Sequence, residues 1–283
     1  MVYQYIMSWQ SSQIFICGTA RNCEQHLDAV FANIQKMTEL FKDFRIAISF
    51  DESADNTLIK LIHYKKMYGD KMYIYINRNP ISSIRTENIS NARNSYLNYI
   101  REASLSGYTA EYFIALDLDD VCASAMDLDV FKRAMERDDK WDSVSFNRTG
   151  YYDIWALSID DYIYSCWGWW SPWEVVDHTK TYIIDKLDKI PADEFAECLS
   201  AFNGFAIYKI ASFIDCNYDW RMPKQYMKLE DLQRQQQILW GVGSVSPLEI
   251  QTDEPDCEHR AFHMQAIHKN SARIRISPEK LFP

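Results

Sequence analysis

Apolar residues recur along this chain in two alternating rhythms. Gln13 to Cys17, apolar from Ile14 onward, reads as a first strand, followed by the polar turn Gly18-Thr-Ala-Arg-Asn22. From Glu24 to Phe41 the spacing changes to that of a helix, with Leu27, Val30, Phe31, Ile34, Met37 and Leu40 on one face. A second strand is predicted over Phe44–Phe50, a helix over Leu58–Tyr68 and a third strand over Lys71–Ile76. Strands alternating with helices imply parallel pairing and right-handed crossovers. A fourth apolar run, Tyr112 to Leu116, has the composition of a strand buried on both faces. Asp127–Arg137 follows as a helix and Trp141–Phe146 as a further strand. The expected fold class is thus α/β, with a mostly parallel sheet flanked by helices.

Ligands of such sheets bind beyond the carboxyl ends of the strands. The turns after Cys17, Phe50 and Leu116 should therefore face one site, making Thr19, Ala20, Arg21, Asp51, Glu52, Asp117 and Leu118 candidate ligand contacts. The third turn is the most informative. The run Tyr112-Phe-Ile-Ala-Leu ends in Asp117-Leu-Asp119-Asp120, three carboxylates in four positions. Asp117 and Asp119, two apart on a strand end, project to the same side. Carboxylates so close repel one another unless a cation neutralises them. Hard divalent ions take such oxygen ligands and bridge to substrate phosphates. The competing reading is an acidic turn that caps the next helix.

The composition narrows the partners. The formal net charge of −10 argues against a nucleic-acid surface, which needs a basic face. No apolar run approaches the length of a membrane span, and Met1–Ser12 lacks the pattern of a signal peptide. The seven cysteines form no C-x-x-C pair, and several, such as Cys17, lie in apolar runs as buried free thiols. A reducing, cytoplasmic setting is expected. Aromatic content of 14%, with 9 Trp and 18 Tyr, suits sugar or base stacking as well as core filling.

Several segments together resemble one family. Asp51-Glu-Ser-Ala-Asp55-Asn-Thr57 resembles the nucleotide-binding loop of family-2 glycosyltransferases of the GT-A fold. Asn88-Ile-Ser-Asn-Ala-Arg93-Asn94 resembles their helix with an A-R-N triplet, and the D-x-D strand follows in the family's order. Tyr151-Tyr-Asp-Ile-Trp-Ala-Leu157 resembles a stretch of small soluble glycosyltransferases from bacteria and large DNA viruses, akin to fungal capsule mannosyltransferases. Asn203-Gly204, between apolar runs, looks like the glycine loop that lines the donor sugar and acceptor. Glu230-Asp231 looks like the x-E-D motif whose Asp is the base of inverting enzymes, and Cys257-Glu258-His259 like the stretch that adds a His to the metal.

The resemblance implies a single GT-A domain over 1–283, Rossmann-like, with a nucleotide-sugar half (1–125) and an acceptor half (126–283) that forms a C-terminal extension. It implies a metal-dependent, inverting glycosyltransferase that moves a sugar from a UDP- or GDP-linked donor to a glycan or glycoprotein hydroxyl. The cofactor would be Mn²⁺ or Mg²⁺, held by Asp119, Asp117 and His259. Arg93 would contact the nucleotide or its phosphates, and His263, four residues beyond His259, is the candidate at the diphosphate. Asp120, Asn203, Gly204 and Glu230 are candidates for sugar or acceptor contacts, joined by Trp169 and Trp170 in a Trp-dense segment read as platform or lid (Asp160–Asp177). Lys269, Arg273, Arg275 and Lys280 read as a solvated basic tail. A sugar nucleotidyltransferase, a glycoside hydrolase and a non-catalytic carbohydrate-binding protein are the alternatives. The first is disfavoured by the single glycine in Cys17-Gly-Thr-Ala-Arg-Asn22.

Overall fold

The chain alternates strand and helix as its apolar rhythm requires. A computed structural model describes residues 8–77, 82–163, 173–242 and 255–283. In order, the elements are β1 (Gln13–Ala20), α1 (Leu27–Thr38), β2 (Asp43–Asp51), α2 (Thr57–Tyr68), β3 (Met72–Asn77), α3 (Arg85–Leu105), β4 (Ala110–Asp117) and α4 (Leu128–Met135). They continue with β5 (Ser143–Asn147), α5 (Trp173–Leu187), β6 (Ala196–Cys198), β7 (Phe205–Lys209), α6 (Ile210–Phe213), α7 (Leu229–Gly241), α8 (Glu258–Asn270) and β8 (Ile274–Lys280).

Eight strands form one sheet in the order β3-β2-β1-β4-β7-β5-β8-β6. The β3-β2-β1-β4 half is wholly parallel, and β5 and β8 are parallel to each other. Strand β7 runs antiparallel to β4 and β5, and β6 antiparallel to β8. The mostly parallel α/β architecture expected from the sequence is the observed one.

Strand alternation divides the core into two layers. Ile14, Ile16, Tyr112, Ile114 and Leu116 face α1 and α4, packing on Leu27, Val30, Phe31, Ile34, Val130 and Phe131. Phe15, Cys17, Phe113 and Ala115 face the other way, toward Tyr96, Leu97 and Ile100 of α3, Ile183 of α5 and Phe262 of α8. Fully burying one such side chain contributes about 1.5–3 kcal/mol. A one-residue slip would exchange the two faces of a strand, so the pattern also fixes the register. The six cysteines among the described residues are all buried and unpaired.

Three parts of the second half depart from expectation. Residues 173–187 form α5, which buries Val175, Val176, Thr179, Ile183 and Leu187, whereas the sequence suggests loop as far as Asp177. The expected basic tail is the end of α8 and then β8, whose Ile274 and Ile276 are buried between β5 and β6. Its arginines are paired rather than simply solvated, Arg273 with Asp142 at 2.9 Å and Arg275 with Glu197 at 2.9 Å. Three-residue β6 carries too short a pattern to be read. No helix among the described residues is long and apolar enough to cross a membrane.

Candidate active site

The carboxyl ends of β1, β2 and β4, the start of α3 and the start of α8 enclose a cavity of about 570 Å³. Thr19, Ala20, Arg21, Asp51, Arg93, Asp117, Leu118, Asp119 and His259 all line it. Nine of the residues singled out from the sequence are thus brought to one place.

The turn after β1 and the loop after β2 are sewn together. Ser53 Oγ accepts from the Asn22 amide (3.0 Å), Asn22 Oδ1 from the Ala54 amide (2.7 Å) and Asp55 from the Glu24 amide (3.0 Å). Asp55 also accepts from the Thr57 amide at the head of α2 (3.0 Å). Most of the Asp51-to-Thr57 loop is therefore occupied in holding itself, and Asp51 alone of it reaches the cavity. Burial raises the Asp51 pKa, with the Asn77 amide (2.9 Å) and the Arg21 charge opposing. Glu52 is exposed and lies outside the lining, which corrects its expected role.

The D-x-D-D stretch separates into three different environments. Asp117 is committed on both oxygens: Oδ1 accepts from Arg93 (3.3 Å) and Oδ2 from the Tyr152 hydroxyl (2.9 Å). Its own amide donates to the Gly204 carbonyl (2.9 Å). Asp119 accepts the Val121 amide (3.1 Å) and meets no cationic side chain among the described residues. Surrounding protein, then the neighbouring Asp117 charge, raise its pKa to about 6 although its side chain reaches the open cavity. Asp120 is exposed and opens a short 3-10 turn away from the lining, so the sugar or acceptor contact expected of it is not supported by its position. The loop is held from below by Asn33 of α1, which donates to the Cys122 (3.1 Å) and Ser124 (2.7 Å) carbonyls.

Arg93 is the hub. It is 4% exposed and donates to Glu258 Oε1 at 2.8 Å as well as to Asp117. Its guanidinium also lies over the Phe202 ring (4.7 Å). Burial works against its charge, but Tyr96, Glu258 and Asp117 together outweigh that and raise its pKa. The opposite wall is supplied by α8. His259 is stacked on Phe202 (3.8 Å), and its Nε2 is a buried nitrogen without a hydrogen-bond partner. Burial, Arg93 and His263 lower its pKa well below the usual value, so the imidazole is neutral. With its proton on Nδ1, near the Tyr208 hydroxyl (3.4 Å), Nε2 carries the lone pair, 3.7 Å from Glu258 Oε1.

Among the described residues no three His, Cys, Asp or Glu side chains converge as a ready-made metal cage. A magnesium-like ion does not require one, since it is commonly held by one or two carboxylates plus substrate phosphates. The Asp119 carboxylate, which accepts one amide and has no ion pair among the described residues, fits that requirement, with the His259 nitrogen on the same cavity. Asp117 is less open to it: Arg93 and Tyr152 each take one acceptor position, and the Arg93 charge stands beside whatever its oxygens would hold.

Other expected residues lie elsewhere. His263 is fully buried, its Nδ1 against Ser200 Oγ (3.0 Å) and its Nε2 against the Tyr208 hydroxyl (3.1 Å). Burial, then Arg260, lower its pKa to about 3, so it is a neutral core residue with no face toward a phosphate. Asp231 stands in the first turn of α7, bonded to Arg234, which also meets Asp161 at 3.2 Å; neither Asp231 nor Glu230 lines the cavity. Asn203 is structural: its amide side chain donates to the Phe146 carbonyl (3.0 Å) and accepts the Asp153 amide (3.3 Å). Gly204 has φ +88°, and a Cβ there would stand 2.3 Å from Val121 Cγ1, so it allows close packing beneath the site rather than contact within it. Trp169 and Trp170 lie outside the described residues.

Sequence reasoning missed Tyr152, Asp153 and Glu258 as site residues, although two of the resembling stretches contain them. It also missed Ser49, whose buried hydroxyl has no partner and lines the cavity. Asp153 is held by the Ala156 (3.2 Å) and Asn203 (3.3 Å) amides, and burial, followed by Asp117 and Glu258, raises its pKa to about 6.

No family model and no curated protein matches the sequence. Among solved structures the chain is similar to S. aureus TarS 1–349 in complex with UDP (TM-score 0.47, 13% identity), covering 95% of this chain and 59% of that one. It is similar to the mannosyltransferase PcManGT from Pyrobaculum calidifontis in complex with GDP-Man and Mn²⁺ (TM-score 0.42, 9% identity; 96% and 58%). A third is glucosyl-3-phosphoglycerate synthase from Mycobacterium tuberculosis in complex with UDP (TM-score 0.38, 11% identity; 71% and 58%). The chain thus spans less than two thirds of each of these relatives, and the likeness is one of fold.

Proposed function

We propose that this chain is a glycosyltransferase that moves a sugar from a UDP- or GDP-linked donor to a hydroxyl of a glycan or glycoprotein, with a divalent cation, Mn²⁺ or Mg²⁺. The observation that carries the reading is the pairing on one cavity of a carboxylate without a cationic partner among the described residues, Asp119, with a buried nitrogen that makes no hydrogen bond, His259 Nε2. A mixed oxygen and imidazole donor set suits Mn²⁺. When bound there, such an ion would neutralise charge on a departing diphosphate, and electrostatic stabilisation of that kind commonly contributes more to the rate than any other single effect.

The chain's own groups have separable duties in this reading. Arg21 and Arg85 bring positive charge to the cavity, and Arg93 holds Asp117 in place. Thr19, Ala20, Asp51, Leu118 and Ser49 form the end that takes the nucleoside. Asp51 and the orphaned Ser49 hydroxyl provide hydrogen-bonding groups there. The neutral His259 leaves its lone pair for a cation instead of competing with one. Asp231 takes no part, because Arg234 already answers its charge away from the cavity. Inversion is the course that the resemblance to family-2 enzymes implies.

A panel of UDP- and GDP-sugars, incubated with and without Mn²⁺, tests the reading by release of free nucleoside diphosphate. Release that requires the metal and vanishes in Asp119→Ala supports it; release unaffected by EDTA defeats it. NMR of the product's anomeric configuration reads the stereochemistry.

A further inference from the structure

Resting on the nucleotide-sugar reading above, we propose that Asp153 and Trp155 form the subsite that grips the transferred sugar, with Asp153 accepting hydrogen bonds from two adjacent hydroxyls of a hexosyl group. Both residues line the cavity, on the stretch between β5 and α5.

The geometry of the carboxylate is specific. Oδ1 accepts the Ala156 amide at 3.2 Å and Oδ2 the Asn203 amide at 3.3 Å. An ionised carboxylate offers about four acceptor positions, so each oxygen keeps one for a ligand. Two neighbouring oxygens with one open position each match two neighbouring hydroxyls, a pattern that a pyranose carries and a phosphate does not; a ribose diol or a guanine edge carries two adjacent donors as well, and the bare diphosphates in the test below separate those from the sugar. Among the described residues no cation is ion-paired with Asp153. Burial and the nearby Asp117 and Glu258 charges leave the carboxylate short of solvation, and hydroxyl donors from a neutral sugar would supply it without adding a further charge. Trp155 adds an indole to the same wall, a surface on which the C–H face of a pyranose packs.

The segment is fixed before any ligand arrives. Arg260 of α8, fully buried and paired with Asp256 at 2.8 Å, donates to the carbonyls of Leu157 (2.9 Å) and Ile163 (3.3 Å) and also to that of Trp155. A ligand meeting a preset fork avoids the ordering cost that a mobile loop would impose. Asp231 lacks each of these features: it is tied to an arginine and outside the cavity.

The test is calorimetric titration, with Mn²⁺ present, of UDP, UDP-glucose, GDP and GDP-mannose into wild type and Asp153→Asn. The variant is expected to bind the preferred nucleotide sugar about tenfold more weakly, the scale of one hydrogen bond to a charged group, while the matching bare diphosphate is nearly unchanged. Equal weakening of both ligands would mean that Asp153 supports the fold or meets the nucleotide, not the sugar. Unchanged donor affinity with lost transfer would make it a proton acceptor. Either result overturns the proposal. Wild type that binds neither diphosphate overturns the nucleotide-sugar reading itself, and the sugar subsite with it. Should Asp153→Asn fail to fold, Trp155→Ala carries the same comparison, and there equal weakening of both ligands, or no weakening of either, overturns the proposal.

Discussion

Removing the positive charge of Arg93 should cost stability and activity by two different routes, and a double-mutant cycle separates them. Arg93 and Glu258 are 4% and 6% exposed and lie 2.8 Å apart, joining α3 to α8. Arg93→Met leaves Glu258 buried without its counter-charge, which costs about 3–5 kcal/mol. At about 2–3 °C per kcal/mol for a chain of this size, the melting temperature should fall by about 6–15 °C. In Arg93→Met/Glu258→Gln neither buried charge remains, so most of that loss should return. Asp117 tolerates the change better, being 19% exposed and still bonded to Tyr152. Catalysis should not return, because Asp117 has lost the cation that fixes it. Scanning calorimetry reads the first effect and metal-dependent release of nucleoside diphosphate the second. Equal melting temperatures for the single and double variants would show that the buried pair is energetically idle. Recovered turnover in the double variant would show that Arg93 has no role beyond the fold.

Other consequences are more local. Asp119→Asn should abolish Mn²⁺ binding and yet raise the melting temperature at pH 8. The folded-state pKa of about 6 lies above the unfolded value, so the ionised group opposes folding as pH rises from about 4 to 6 and remains unfavourable above that range; at pH 4 the gain should vanish. Asp231→Asn should keep wild-type transfer, measured as product per unit time; its loss would return the base role to Asp231. His263→Ala should lower the melting temperature, consistent with about 2–4 kcal/mol for a truncated core side chain, while calorimetric affinity for UDP or GDP stays as in wild type. Gly204→Ala should impair both fold and turnover. Its Cβ would displace Val121, whose amide holds Asp119, and crowd Tyr152, which holds Asp117.

Legibility in the sequence followed the range of the interactions involved. Strands β1, β2 and β4 and helix α1 were readable because local alternation and helical spacing reflect burial on a single element. The cavity residues Asp51, Asp117 and Asp119 were readable because strand ends in a parallel sheet share an edge. The contacts that differentiate those residues are not local: Arg93 meets Glu258 across 165 residues and Tyr152 meets Asp117 across 35. For that reason Asp117 and Asp119 look equivalent in the sequence and are chemically unlike in the fold. His259 and His263 show the same limit. Their four-residue spacing says that they share a helical face, but not that one lines a cavity while the other is enclosed by Ser200 and Tyr208. The alternating apolar and basic residues of Arg273-Ile-Arg-Ile276 are a strand signal that positive charge obscures.

The first turn of α8 holds the arrangement together. Three consecutive residues, Glu258, His259 and Arg260, serve three directions: Glu258 fixes Arg93 and through it Asp117, His259 lines the cavity, and Arg260 clamps the segment that carries Asp153 and Trp155. Successive helical residues point about 100° apart, so three in a row can reach α3, the cavity and the 153–163 segment from one backbone position. None of the three is more than about 6% exposed, and a charged residue that buried persists only when paired. The helix start is thus specified electrostatically on two sides, by Arg93 for Glu258 and by Asp256 for Arg260. The neutral histidine is held between them. A shift of α8 by even one residue would break both ion pairs and move His259 off Phe202. The geometry that sets His259 at the cavity wall is therefore the geometry that satisfies the buried charges.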